Sequence, residues 1–161
     1  MKARTRARAL ALKALYEIDL AGHPPATVLR ERIQEEGLEP ELAAFARQIV
    51  EGVVPLRPWL DQHIARHAPA WPVEHLPAIE RNLLRMALWE MALSPERTPP
   101  RVVVNEAVEL AKMFGSESTP RFVNGVLGSL VRELEAIRRD LRRAMGDGDR
   151  DSLGSPSTGE A

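Results

Sequence analysis

VVVNEAVELAKMFGSESTPRFVNGVLGSL, residues 102–130, sets two apolar stripes on either side of one short polar turn. Val104, Ala107, Val108, Ala111 and Phe114 recur three and four residues apart, the period of one helix face. Gly115 follows that stripe, where a left-handed C-terminal cap costs least. Ser116–Thr119 is polar, and Thr119-Pro120 has the form of an N-cap followed by proline at the first helical position. A second stripe runs Val123, Val126, Leu127, Leu130, Leu134, Ile137 and Leu141, and reads as one continuous helix. The stretch is a helical hairpin.

Working outward, Thr98-Pro99-Pro100 opens the hairpin, and Leu76–Leu93 before it forms the most apolar helix of the chain. Ile79, Leu83, Met86, Ala87 and Glu90 form one of its stripes; Leu84, Leu88 and Met91 form another. A helix apolar on most sides belongs at the centre of a bundle. Its polar positions are Glu80, Arg81, Asn82, Arg85 and Glu90. Met1–Ala21 reads as a first helix closed by Gly22, and Pro25–Glu36 as a second closed by Gly37. Pro40–Val54 reads as a third, with Pro55 and Pro58 separating it from a fourth that carries Trp59, Leu60 and Ile64. The first three fit one bundle. Residues 146–161 are Gly, Asp, Ser, Thr and Pro with one leucine, a composition that cannot bury a core. One helical domain over 1–145 and a disordered acidic tail over 146–161 are expected.

Composition narrows the function. Hydrophobic residues make up 44% and charged residues 28%, the balance of a soluble globular chain, and Leu, Ala, Arg and Glu favour helix. No window offers the 18 or so apolar residues of a membrane span, and no secretory signal pattern is present. A cytoplasmic protein is expected. The absence of cysteine excludes disulfides, thiol nucleophiles and cysteine-held zinc. No Walker loop, dinucleotide fingerprint or nucleophile elbow occurs, so an enzyme is the weaker reading and no cofactor is expected. His63 and His67 share a helix face, but HIARH lacks the metalloprotease glutamate and a third ligand; no metal is expected.

The net charge of −1 conceals an asymmetry. Lys2, Arg4, Arg6, Arg8 and Lys13 are unopposed by acid in the first 16 residues, whereas Asp147, Asp149, Asp151 and Glu160 outweigh Arg150 in the last 16. Cations at a helix start oppose the macrodipole, at a cost of roughly 0.3–1 kcal/mol each. At 100° per residue Arg4 and Arg8 share a face while Arg6 and Lys13 point nearly opposite. The cluster is either a solvated helix end or a phosphate-binding arm. The hairpin turn supplies the second group, Arg121 and Phe122 beside Ser118. Cations along phosphates and aromatic rings under splayed bases are how single-stranded RNA is held, and Tyr16 adds a ring. By spacing alone Phe122 also fits the core. Gly125 and Gly128 inside a strong helix suggest close helix packing, or close approach of an RNA backbone with Asn124 hydrogen-bonding to it. Asn105 reads as structural.

Asn105-Glu106-Ala107, Glu109–Lys112, Phe114-Gly115 and Phe122–Leu127, in that order, closely resemble the signature of the NusB transcription antitermination family. Trp71 with Leu76, Ile79–Arg81, Leu84-Arg85, Ala87–Glu90 and Ala14-Leu15-Tyr16 extend the resemblance over roughly residues 2–135. Ser118 departs from the family's frequent acid, and Gly128 from its usual polar residue. The resemblance implies an all-α fold of two packed three-helix bundles forming one compact domain. It implies binding to boxA RNA of ribosomal RNA leader transcripts together with NusE, a small-subunit ribosomal protein. The pair would join other Nus factors on RNA polymerase. By position, Lys2, Arg4, Arg6 and Arg8 match the arginine-rich RNA-binding start, and Ser118 and Phe122 the second RNA-contacting segment, with Arg121 and Asn124 beside them. Tyr16 matches a residue where the RNA and NusE surfaces approach each other, and Glu80 one on the NusE side. Family members also form homodimers that cover this surface. The rival readings are a NusB-like domain of an rRNA cytosine methyltransferase, and a structural helical dimer without specific RNA binding.

Overall fold

Proline or glycine stands at most of the helix boundaries of the computed structural model. It describes the backbone of residues 1–158 and the side chains of residues 1–146. Among them lie seven α-helices: α1 (Ala3–Ala21), α2 (Pro25–Glu36), α3 (Pro40–His67), α4 (Ala78–Leu93), α5 (Pro100–Phe114), α6 (Thr119–Arg132) and α7 (Leu134–Thr158). The expected tail over 146–161 falls almost wholly outside the described side chains, and its end outside the described backbone.

α1, α2 and α3 pack on one another, as do α4, α5 and α6, and α7 lies across α4 and α3. α4 is the shared centre: it packs on α1, α3, α5, α6 and α7, and every residue from Asn82 to Ala92 is buried. The all-α double bundle expected from the sequence is the observed fold.

Two boundaries and one buried face differ from expectation. α3 runs unbroken through Pro55 and Pro58. Both prolines are exposed, while Val53, Leu56, Leu60 and Ile64 bury the opposite face. Pro58 cannot donate to the Val54 carbonyl, and the Arg57 Nε does so instead at 3.1 Å. The stripe from Val123 to Leu141 spans two helices, because the chain turns at Glu133 with φ −115° and ψ 18°. Burial continues on one face across that bend because α4 and α3 pack on both α6 and α7, so periodicity conceals it. In α5 the fully buried residues are Val103, Ala107, Leu110 and Ala111, so the core face is rotated from the expected stripe toward Val103 and Leu110. Val104 and Phe114 sit at its margin.

Candidate RNA and partner interface

α1 and α5 run side by side in the same direction. The Thr5 hydroxyl donates to Glu106 at 3.0 Å, the Lys13 ammonium lies 5.7 Å from the Phe114 ring centre, and Tyr16 shares a groove with Ser116. The basic start of α1 therefore adjoins the start of α5, and the hairpin turn adjoins Tyr16. With a rise of about 1.5 Å per residue, Arg6 and Tyr16 stand roughly 15 Å apart along one strip.

The four cations at the start of α1 have different fates. Arg8 turns inward and is 3% exposed. Its Nε and Nη2 donate to the two Glu90 carboxylate oxygens at 2.9 and 2.6 Å, and its Nη1 to Glu106 at 3.1 Å. Burial alone would lower the Arg8 pKa, but the Glu90 hydrogen bonds and the charges of Glu90 and Glu106 raise it. Three of its five N–H groups are engaged and burial keeps the other two from phosphate, so Arg8 ties helices together, against the expectation that it binds RNA. Arg4, on the same face, lies half exposed over the Phe45 ring at 4.4 Å and donates to Glu96 at 2.6 Å. Lys2 and Arg6 are exposed and enter no ion pair among the described residues. Lys2 borders a shallow groove with Val102, Asn105 and Glu109, so Asn105 is exposed rather than structural.

At the other end of the strip two grooves adjoin. One, of about 470 Å³, lies among Tyr16, Leu20, Glu80, Phe114 and Ser116. The second, of about 400 Å³, lies among Trp71, Glu80, Ser116, Ser118 and Phe122. Leu76, Pro77, Glu80 and Ser116 border both. Tyr16 is 39% exposed and Trp71 49%. Phe122 combines its two readings, packing against the core while lining the groove. Arg121 and Asn124 are exposed on α6.

The turn between the grooves is fixed locally. Gly115 is extended, at φ −95° and ψ −172°, not left-handed as expected of a cap. A Cβ there would meet the Thr119 Cβ at 2.5 Å, so glycine answers a close approach instead. Buried Thr119 accepts the Ser116 N–H at 2.9 Å through its hydroxyl, and Ser118 is left exposed at the start of α6. Gly125 and Gly128 have no atom within 4 Å of an added Cβ, so close helix packing is not their reason.

A second ion cluster lies beneath Glu80. Arg85 reaches Asp61 of α3 with two hydrogen bonds of 2.7 Å, and Arg81 and Asn82 donate to Asp19 of α1 at 2.8 and 2.9 Å. Arg81 also donates to the Leu76 carbonyl at 2.8 Å, securing the loop that carries Trp71. Sequence reading marked these α4 positions as polar but missed their function. Polar residues inside an apolar helix were the signal, and their partners 20–60 or more positions away gave none. His63 and His67 face different partners. His63 is buried and lies 2.7 Å from Asp140, while His67 meets Ser129 at 2.6 Å and Glu133 at 3.3 Å.

An all-helical double bundle presenting a basic helix start and a paired aromatic groove defines a helical binding protein. The profile of the NusB family matches residues 5–132, and the chain belongs to that family. It is 43% identical over 137 residues to the transcription antitermination protein NusB of Roseiflexus sp. (strain RS-1), covering 84% of this chain and 96% of the relative. It is 42% identical to that of Symbiobacterium thermophilum, over 85% of this chain and 99% of the relative. Among solved structures it is similar to T. maritima NusB, with TM-score 0.74 and 30% identity over 81% of this chain and 91% of that one. It also resembles a chain of the crystal structure of antitermination factors NusB and NusE in complex with dsRNA. That match has TM-score 0.74 and 28% identity over 82% of this chain and 98% of that one.

Proposed function

We propose that this protein is a non-enzymatic transcription antitermination factor that binds RNA together with NusE. In this reading the RNA is the boxA element of ribosomal RNA leader transcripts, and the assembly joins other Nus factors on RNA polymerase in the cytoplasm. The observation that carries the reading is the likeness to a chain solved with NusE and RNA, over nearly that chain's whole length. The surface agrees in chemistry. Lys2 and Arg6 offer unpaired cations for phosphate, reinforced by Arg4 once it exchanges Glu96 for RNA. Ser118, Arg121, Phe122 and Asn124 extend the RNA-binding strip, and Tyr16 and Glu80 lie on the NusE side. A homodimer formed over the same strip would compete with both ligands.

The test is binding of the full chain to boxA RNA and to a scrambled control, with and without NusE, across a salt series. Selective binding strengthened by NusE is expected. The logarithm of affinity should fall with log salt by about 0.7 per single-stranded phosphate contacted, which counts the cations engaged. Equal, weak binding to both RNAs, unaltered by NusE, would remove the functional reading and leave the fold.

A further inference from the structure

α7 carries cations that neither the ion clusters nor the strip from Lys2 to Phe122 uses. The acids at its start and along its described length all have partners. Glu133 meets His67 at 3.3 Å, Asp140 meets His63 at 2.7 Å, and Glu135 pairs with Arg138. Arg138 is further engaged, donating to the Met91 and Ala92 carbonyls near the end of α4. Arg139, Arg142 and Arg143 are exposed, with no ion pair or side-chain hydrogen bond among the described residues. At 100° per residue these three leave the helix within an arc of about 100°, one outward face. Asp147 follows Arg143 by one turn, but an exposed pair at that spacing is weak and yields to a phosphate.

Beside these arginines the surface opens into an apolar groove of about 390 Å³ between α3, α4 and α7. Trp59 and Pro55 of α3 border it on one side and Met145 of α7 on the other, so Arg142 and Arg143 stand next to its rim. Trp89 of α4 completes the lining, packed so close to Gly52 that a Cβ there would meet the indole at 2.2 Å. Trp59 is 37% exposed and Trp89 only 5%, so Trp59 is the indole that an incoming group meets. Glu51 is the one acid on the lining, an acceptor for a base amino group. Arginines alone would suit an acidic peptide equally; the aromatic groove on their flank favours nucleobases. The groove also adjoins the cationic start of α1. Leu93 lines it, and Glu96, three residues on, holds Arg4 over the Phe45 ring. Phe45 and Gly52 are seven residues apart on one face of α3, about 10 Å at 1.5 Å per residue.

We propose that the arginine face of α7 and the groove at Trp59 form a second site for single-stranded RNA, which takes nucleotides adjoining the element held at α1. Arg139, Arg142 and Arg143 contact phosphates, and Trp59 stacks on a base. This rests on the antitermination reading, in which the element held at α1 and the hairpin turn is boxA. The transcript then leaves the start of α1, crosses α3 near Phe45 and continues along α7.

The experiment compares boxA RNA alone with boxA RNA extended at one end or the other by about ten uridines, within the span of a single-strand site. The full chain is titrated with NusE present, as wild type, as Trp59→Ala, and as the triple variant Arg139→Gln, Arg142→Gln, Arg143→Gln, across a salt series. Wild type should bind one extended RNA more tightly than boxA alone, with a salt slope steeper by about 2 for three added phosphates. The triple variant should lose both the gain and the added slope. Trp59→Ala should bind the extended RNA about fivefold or more weakly. Both should bind boxA alone as wild type does. The triple variant alters only exposed side chains, so the test survives even where Trp59→Ala disturbs the groove. Equal wild-type affinity for boxA and both extended RNAs, or a gain that survives the triple variant, overturns the site and leaves the antitermination reading standing. A gain lost in the triple variant but intact in Trp59→Ala overturns it in favour of a general cationic face. A triple variant that keeps the gain but binds NusE more weakly overturns it in favour of a protein contact. Wild type that binds none of these RNAs sinks the antitermination reading, and the second site with it.

Discussion

Arg8 shows how one residue can belong to a motif without sharing its task. It completes the basic run at the start of α1, yet its guanidinium is enclosed by Glu90 and Glu106 with side-chain exposure of 4%. Removing one partner of a buried pair leaves the other charged and desolvated, at a cost of about 3–5 kcal/mol. Arg8→Ala should therefore lower the unfolding free energy by that amount in urea denaturation. Arg6→Ala should stay within about 0.5 kcal/mol of wild type and lose RNA affinity instead. A triple alanine variant of Arg4, Arg6 and Arg8 would confuse a folding defect with a binding one. Equal stability of Arg6→Ala and Arg8→Ala would contradict the assignment. Helical periodicity already placed Arg4 and Arg8 on one face and Arg6 on the other. It could not tell which face is the inner one, because the acids that decide it are 82 and 98 residues away.

At the scale of the element, the hairpin of α5 and α6 was legible in outline and misread in its glycines. Gly115→Ala would drive a Cβ into the Thr119 side chain that holds the turn, and should destabilise by about 1–3 kcal/mol. Gly125→Ala, at an exposed position of α6, has open space and ordinary helical geometry, and should stabilise by about 0.5–1 kcal/mol. Thermal melts of both variants read the two signs directly. If Gly125→Ala raises the melting temperature and lowers RNA affinity, the glycine serves close approach of the RNA backbone. If it stabilises with affinity unchanged, that role is excluded. Sequence separates a cap glycine from a helix-interior one, but only the neighbouring atoms show what a side chain would meet at each. The unbroken α3 teaches the same lesson for proline. Its buried face and the Arg57 side chain compensate locally for what Pro55 and Pro58 withhold.

At the scale of the whole molecule, the two three-helix groups meet across two ion clusters as well as an apolar core. Arg8 with Glu90 and Glu106 ties α1 to α4 and α5; Asp19, Arg81, Asn82, Arg85 and Asp61 tie α1, α4 and α3. Burial would raise the Asp19 pKa, but hydrogen bonds from Asn82 and Arg81 and the charges of Arg81 and Arg85 hold it below the ordinary aspartate value. A depressed carboxylate contributes stability above its unfolded pKa of about 3.9 and loses it as pH falls through the folded value. Wild type should therefore lose melting temperature below about pH 4 more steeply than Asp19→Asn, with little difference in slope near neutrality. Parallel acid limbs for the two proteins would refute the contribution of Asp19.

The sequence by itself determined the helices, the hairpin, the centrality of α4 and the family, because helical periodicity and breakers act over a few residues and the family's motifs lie in unbroken runs. It also supplied the candidate strip from Lys2 to Phe122. Tertiary structure alone decided that Arg8 is buried while Lys2 and Arg6 remain exposed, that Trp71 joins Glu80 and Phe122 in one groove, and that Glu80 has no ion-pair partner among the described residues. Charge pairing and groove formation depend on which faces of distant helices meet. No local pattern encodes that, because the energy that selects the meeting is the burial of a core shared by all of them.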